Sequence, residues 1–138
     1  MCLILDTNKY SDFLTPENRD MEPVRKWMRT RNGKIAYSPT EKMQSELNRH
    51  NKMREQFDRY RETDKLKLVP PDKVRRVMDD LRDLQSDDPD IIALAQVAGV
   101  RLLVSGDTNL HADFKQIIGG NIYQTKGHQR LLKKDLCP

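Results

Sequence analysis

The stretch that decides the fold is Cys2-Leu3-Ile4-Leu5-Asp6-Thr7-Asn8. Its four leading residues are apolar in succession, so both faces of the segment are apolar, and the run stops abruptly at a carboxylate. Such a run reads as a strand buried between two layers, and buried parallel strands need helices to connect them. Similar runs recur at Lys34-Ile35-Ala36-Tyr37-Ser38, Leu66-Lys67-Leu68-Val69, Arg101-Leu102-Leu103-Val104-Ser105 and Asn121-Ile122-Tyr123-Gln124. Five strands are expected.

Helical signals fill the intervals. Ser38-Pro39-Thr40-Glu41 has the pattern of a capping box, with a hydroxyl at the cap, proline at the first helical position and glutamate three residues after the cap. Met43, Leu47, Met53, Phe57 and Tyr60 follow it, which predicts one long helix to about Arg61. Asp88-Pro89-Asp90 repeats the cap-and-proline start, and the stripe Ile91, Leu94, Ala95, Ala98 ends at Gly99. A third stripe, Leu110, Phe114 and Ile117, is closed by Gly119-Gly120. Shorter helices fit Thr7 to Leu14, Asp20 to Arg31, Asp72 to Leu84 and Gly127 to Asp135. Strands alternating with helices predict an α/β domain whose mainly parallel sheet is covered on both faces.

The 138 residues suit a single domain, 1–138, with one hydrophobic core. Charged residues are 33% and hydrophobic residues 36%, the balance of a highly charged globular chain. No apolar run reaches the roughly 18 residues of a membrane helix, and no signal-peptide pattern is present, so a cytoplasmic protein without membrane association is expected. Cys2 and Cys137 lie at opposite ends of the chain, without a nearby Cys or His at metal-ligand spacing. They read as free thiols of a reducing compartment, against a disulfide scaffold or a zinc finger. The net charge is +4, yet Asp79, Asp80, Asp83, Asp87, Asp88 and Asp90 stand together with only Arg82 among them. A basic body with an acidic patch suits a protein that attracts a polyanion and also holds a cation.

In an open parallel sheet, ligands bind at the carboxyl ends of the strands. Asp6 ends the first strand and Asp107 follows the fourth; if those strands are neighbours, the two acids meet. Asp90, in the first turn of the preceding helix, and Glu46, leaning back toward the amino end of its own helix, approach the same edge. Glu41 competes with Glu46 for that place, but Glu41 has a local role as the capping-box partner of Ser38. Asp88 likewise has a local role as the cap before Pro89. Asp113 reads as lying on the exposed side of its helix. Carboxylates converging without Cys or His form an oxygen site for a hard cation such as Mg²⁺ or Mn²⁺, and the matching chemistry is hydrolysis of a phosphodiester.

Ile4-Leu5-Asp6-Thr7-Asn8, the Ser-Pro-Thr helix start with Ser45-Glu46-Leu47, the segment from Asp87 through Asp90 to Ala95, and Leu103-Val104-Ser105-Gly106-Asp107 together resemble the PIN-domain nucleases. The resemblance spans nearly the whole chain. It implies a three-layer α/β/α sandwich with a central, mainly parallel five-stranded sheet, and Asp6, Glu46, Asp90 and Asp107 as catalytic acids holding Mg²⁺ or Mn²⁺. It also implies endoribonuclease activity, in which a metal-activated water leaves 5′-phosphate and 3′-hydroxyl ends. Many small members are toxins restrained by an antitoxin or other regulatory protein, and many are homodimers. Asn109 departs from the pattern, because many relatives carry a second acid there. Asn109, Asn8 and Ser38 are auxiliary candidates for orienting water or phosphate. The basic residues Arg25, Lys26, Arg29, Arg31 and Lys34, those of the long helix and those of the tail are candidates to track an RNA backbone. The competing expectation is a catalytically weakened PIN-like module that binds RNA or protein.

Overall fold

β1 (Cys2–Leu5) is buried along its whole length, as its doubly apolar sequence requires. The computed structural model describes residues 2–30 and 33–134. On one side β1 pairs with β2 (Lys34–Tyr37), in register Leu3 to Ile35, and β2 pairs with β3 (Leu66–Leu68). On its other side β1 pairs with β4 (Leu102–Val104), in register Leu5 to Val104, and β4 with β5 (Asn121–Tyr123). Every pairing is parallel, and the order is β3-β2-β1-β4-β5.

Seven helices connect these strands among the described residues: α1 (Tyr10–Leu14), α2 (Glu22–Thr30), α3 (Glu41–Asn48), α4 (Asn51–Glu62), α5 (Pro71–Asp80), α6 (Pro89–Ala98) and α7 (Thr108–Asp113), with short irregular turns at 7–9, 114–118 and 126–131. The chain steps outward from β1 to β3 and then crosses back to β4. With right-handed crossovers this reversal puts the connections of the two halves on opposite faces of the sheet, giving an α/β/α sandwich. Accordingly α1 packs on α2 and α4, whereas α6 packs on α5 and on residues 114–118. α6 is buried on almost every side, with Ile91 through Ala95 all in the core. It ends where Gly99 adopts a left-handed φ of 69°, a backbone conformation that residues with a Cβ adopt at a cost. Gly119 closes the 114–118 turn in the same way, at φ 73°.

Four local expectations need correction. The capping box does not form: β2 carries Ser38 into the interior with its hydroxyl unpartnered, α3 starts after Thr40, and Glu41 turns outward to Arg75 at 2.9 Å. The long helix is two helices, because the chain breaks at Arg49-His50 and His50 Nδ1 accepts the Met53 N–H at the start of α4. Asp113 is buried, with only 2% of its surface exposed. Cys2 is not a free thiol, so the cysteines do not point to a reducing compartment; Cys137 lies outside the described residues. No described helix is long and apolar enough to cross a membrane.

Candidate functional site

The order β3-β2-β1-β4-β5 reverses direction between β1 and β4, and a reversal leaves a crevice beyond the carboxyl ends of the two strands. A cleft of ≈ 670 Å³ lies there, with Asp6, Glu46, Asp88 and Asp107 among its walls. Asp6 extends the β1 ladder, its N–H donating to Val104 at 2.9 Å. Its carboxylate, 5% exposed, accepts the Thr7 N–H at 2.8 Å and the Ser105 hydroxyl at 2.7 Å. The same Ser105 oxygen accepts the Asp107 N–H at 3.0 Å. One serine thus joins the two strand-end acids.

Asp107 is also the cap of α7, its carboxylate accepting N–H groups of Asn109 and Leu110 at 3.0 and 3.3 Å. The turn between β4 and α7 is fastened further by Gly106 N–H to Asn8 Oδ1 and by the His111 ring against the Ser105 carbonyl. Burial drives the Asp6 pKa above its ordinary value; the Ser105 hydroxyl and Thr7 N–H counteract it, and the charges of Asp88 and Glu46 add to it.

The opposite wall comes from α3 and the start of α6. Glu46 is half-buried and lines the cleft, while Glu41 does not. Asp88 precedes α6 without capping it. Its carboxylate instead accepts from Lys42 at 2.6 Å, and the Asp87 carbonyl accepts from the same ammonium. Asp88 thus holds the expected cap position, but its side chain gives no cap hydrogen bond, because its Oδ1 is taken by Lys42.

Asp90 is 1% exposed and is not part of the cleft wall. One oxygen accepts its neighbour Ile91's N–H at 3.1 Å, and the other has no partner. Burial pushes its pKa up to about 6; Lys42 works against that shift, and Asp88 and Glu46 reinforce it. Tyr37, whose hydroxyl is also buried without a partner, is pushed up to about 12, chiefly by burial.

The expected acids are therefore placed unequally. Asp6, Asp107 and Glu46 face one cleft, and Asp90 sits outside its wall. Asn8 lines the cleft, Asn109 is exposed, and Ser38 is buried. Among the described residues, no three His, Cys, Asp or Glu side chains are gathered closely enough to hold a metal ion. The chemistry of the donors nonetheless fits a hard cation. The acids supply oxygen only, Asp90 carries an unsatisfied buried oxygen, and the Lys42 ammonium already stands on a carboxylate and a carbonyl as a cation would.

Sequence reading missed Lys42 and the outward role of Asp88. The signal for Lys42 was its position four residues before Glu46, which puts both on one helical face. The basic run after Arg25 is largely engaged elsewhere. Arg25 donates to the carbonyls of Phe13 and Asn18 at 3.0 and 2.8 Å, Arg29 pairs with Glu22, and Lys34 pairs with Asp64. Arg31 lies outside the described residues. Arg49, by contrast, lines the acidic cleft and a neighbouring hollow of ≈ 600 Å³. Compared with protein-family models, curated proteins and solved structures, the chain matches none.

Proposed function

We propose that this chain is a Mg²⁺- or Mn²⁺-dependent endoribonuclease of the PIN type. The observation that carries the reading is the Asp6–Ser105–Asp107 unit at the crevice between β1 and β4, facing Glu46 across an open cleft. Asp6, Glu46 and Asp107 would hold the cation from the walls; Asp90, expected beside them, is buried outside the wall with one oxygen unpartnered. When bound, the ion supplies a lowered water pKa and charge for the leaving oxygen.

The protein's own part is positioning. Ser105 keeps Asp6 oriented by donating to one of its oxygens, and the Thr7 N–H fixes the other. Asp107 is held by the first N–H groups of α7, so it presents a fixed carboxylate edge. Arg49 and Lys42 supply positive charge beside the acids, where a phosphodiester would lie.

A toxin or defence effector, dimeric and held in check by an antitoxin or other regulatory protein, is the setting that the resemblance proposes, and a cytoplasmic one follows from the lack of a signal-peptide pattern in the sequence. The second reading is a PIN-like module that binds RNA or protein without cleaving. It is favoured by Asp90 lying outside the cleft wall and by Asn109 standing where an acid is common. The deciding experiment is cleavage of labelled RNA with Mn²⁺ and with chelator. Cleavage that needs Mn²⁺ and is abolished in Asp6→Asn supports the nuclease; RNA binding with no cleavage at any Mn²⁺ concentration supports the module.

A further inference from the structure

Helix α3 runs as a ridge between the acidic cleft and the neighbouring hollow of ≈ 600 Å³. Lys42 and Glu46 line the cleft, Glu41, Gln44 and Asn48 line the hollow with Arg75 of α5 opposite, and Ser45 and Arg49 line both. The helical repeat explains the division. At about 3.6 residues per turn, positions 45 and 49 fall between the row 41, 44, 48 and the row 42, 46, while Met43 and Leu47 turn into the core.

The two cavities differ in charge. The cleft carries Asp6, Glu46, Asp87, Asp88 and Asp107, and its Lys42 is committed to Asp88 at 2.6 Å. Among the described residues lining the hollow, Glu41 is the one acid, and Arg75 holds it at 2.9 Å while pairing with Asp72 at 2.7 Å. A polyanion is therefore repelled less by the hollow than by the cleft. Of Lys42, Arg49 and Arg75, only Arg49 stands on no carboxylate among the described residues. Its Nη2 donates to the Ser45 hydroxyl one turn earlier at 3.1 Å, which aims the guanidinium along the ridge and leaves most of its donors for a ligand. Gln44 Nε2 donates to Asn48 Oδ1 at 3.0 Å, so an amide oxygen of Gln44 and an amide N–H of Asn48 remain side by side. An acceptor beside a donor matches the edge of an unpaired base. The volume lies within the roughly 300–1,000 Å³ of cavities that take a small molecule, which suits one nucleotide and not a duplex.

We propose that the hollow is a subsite for the nucleotide next to the one in the cleft: Arg49 grips the phosphate joining the two, and Gln44 and Asn48 hydrogen-bond to an unpaired base. The ligand class is single-stranded RNA, whose bases can splay out to be read at their edges. This inference rests on the reading of the cleft as an RNA site, but the grip itself is a phosphate on a guanidinium and needs no metal.

The test titrates the full chain, in chelator, with a fluorescent single-stranded oligoribonucleotide, its abasic counterpart of equal length and an oligoglutamate. Arg49→Met should bind the oligoribonucleotide at least about tenfold more weakly, the loss of a charged hydrogen-bonded contact, with a log–log salt slope shallower by about 0.7, one phosphate of a single strand. Lys115→Met removes the same charge from an exposed residue that lines neither cavity, and screening should keep it within about twofold of wild type. The double variant Gln44→Leu, Asn48→Leu should bind intact RNA about fivefold or more weakly, the worth of two neutral hydrogen bonds, and the abasic chain as wild type does. Affinity of Arg49→Met within about twofold of wild type, far short of a charged contact, would overturn the subsite while leaving the RNA reading intact. An equal loss in Lys115→Met would reveal a general charge effect and also overturn it. Equal losses for intact and abasic RNA in the double variant, or oligoglutamate bound as tightly as RNA, would overturn the nucleotide subsite too. Binding by the wild type only with Mn²⁺ present would overturn the metal-free grip alone. A wild-type chain that binds RNA neither in chelator nor in Mn²⁺ would overturn the RNA reading, and the subsite with it.

Discussion

The two walls of the acidic cleft are built on different principles. On the β1 and β4 side, Asp6 and Asp107 are locked by Ser105, by Thr7 and by the first turn of α7. Both oxygens of Asp6 and one of Asp107 are engaged before any ligand arrives. On the α3 and α6 side, Glu46, Asp88 and Asp90 are close enough to influence one another's neighbours, yet they share one ammonium, and one buried oxygen of Asp90 has no partner. The first wall is preorganised by hydrogen bonds; the second is held by charge compensation. The contrast teaches that one half of the site is held by hydrogen bonds of the fold, whereas the other depends on the charge of a single lysine.

The sharpest way to break this contrast is to remove an acid from the rigid wall. Asp6→Asn should reduce Mn²⁺-dependent RNA cleavage by about a thousandfold or more, comparable to losing a principal electrostatic contact in a reaction centre. Unchanged circular dichroism would confirm that the fold survives. Activity within about tenfold of wild type, far short of the loss expected for such a contact, would remove Asp6 from the proposed chemistry.

A pH titration of metal-free protein addresses the charge-compensated wall. Asp90 has a folded pKa near 6, above its ordinary 3.8, so the folded state binds its proton more tightly than the unfolded state. Its favourable contribution is complete below about pH 3.8 and fades as pH rises through about 6. The shift corresponds to about 3 kcal/mol at most, so the melting midpoint in chelator should rise between pH 7 and pH 5. In Asp90→Asn that component of the rise should vanish. An identical pH dependence in both proteins would show that Asp90 is not the strained group.

A smaller effect is expected at the anchor behind this wall. Asp113 on α7 accepts the N–H groups of Gln85 and Ser86, each at 2.9 Å, and so ties down the loop that carries Asp87 and Asp88. Burial alone would raise its pKa, but these hydrogen bonds outweigh burial and lower it. Its contribution is therefore present above the unfolded carboxylate value and is lost as pH falls through the lower folded one. Asp113→Asn should cost about 1.5–3 kcal/mol near neutral pH, the range for hydrogen bonds to a charged group. Hydrogen exchange should also accelerate at Gln85 and Ser86; unchanged exchange there would dismiss the anchor.

At the far end of the scale, Glu41→Gln breaks an exposed pair with Arg75. It should leave the melting midpoint and cleavage unchanged, since such pairs are screened by water. A large loss of activity would reopen the choice between Glu41 and Glu46.

Much of this arrangement was legible in the residues, and the exceptions share a cause. The five strands announced themselves because a short run that is apolar on both faces and bounded by polar residues fits a buried strand better than a helix. Asp6 was legible because it directly follows such a run, and Asp107 because it stands three residues beyond the last strand residue of another, so both fall at strand ends. The reading of Ser38 as a cap failed because local hydrogen bonding competed with burial, and β2 carried its hydroxyl inward. Asp113 was misread for the opposite reason: its partners, Gln85 and Ser86, lie 28 and 27 residues away. Asp88 had a sound local role before Pro89, but a lysine 46 residues earlier took it.

The sequence by itself determined the alternation of strands and helices, the ends of the strands and the kinds of atom available there, because these depend on apolar periodicity and on neighbours along the chain. Only the tertiary structure decided that β1 lies beside β4, that Ser105 joins Asp6 to Asp107, that Lys42 stands on Asp88, and that Asp90 is buried outside the cleft wall. Those contacts join residues far apart in the chain, and their energies depend on burial and on the field of charges that only packing brings together.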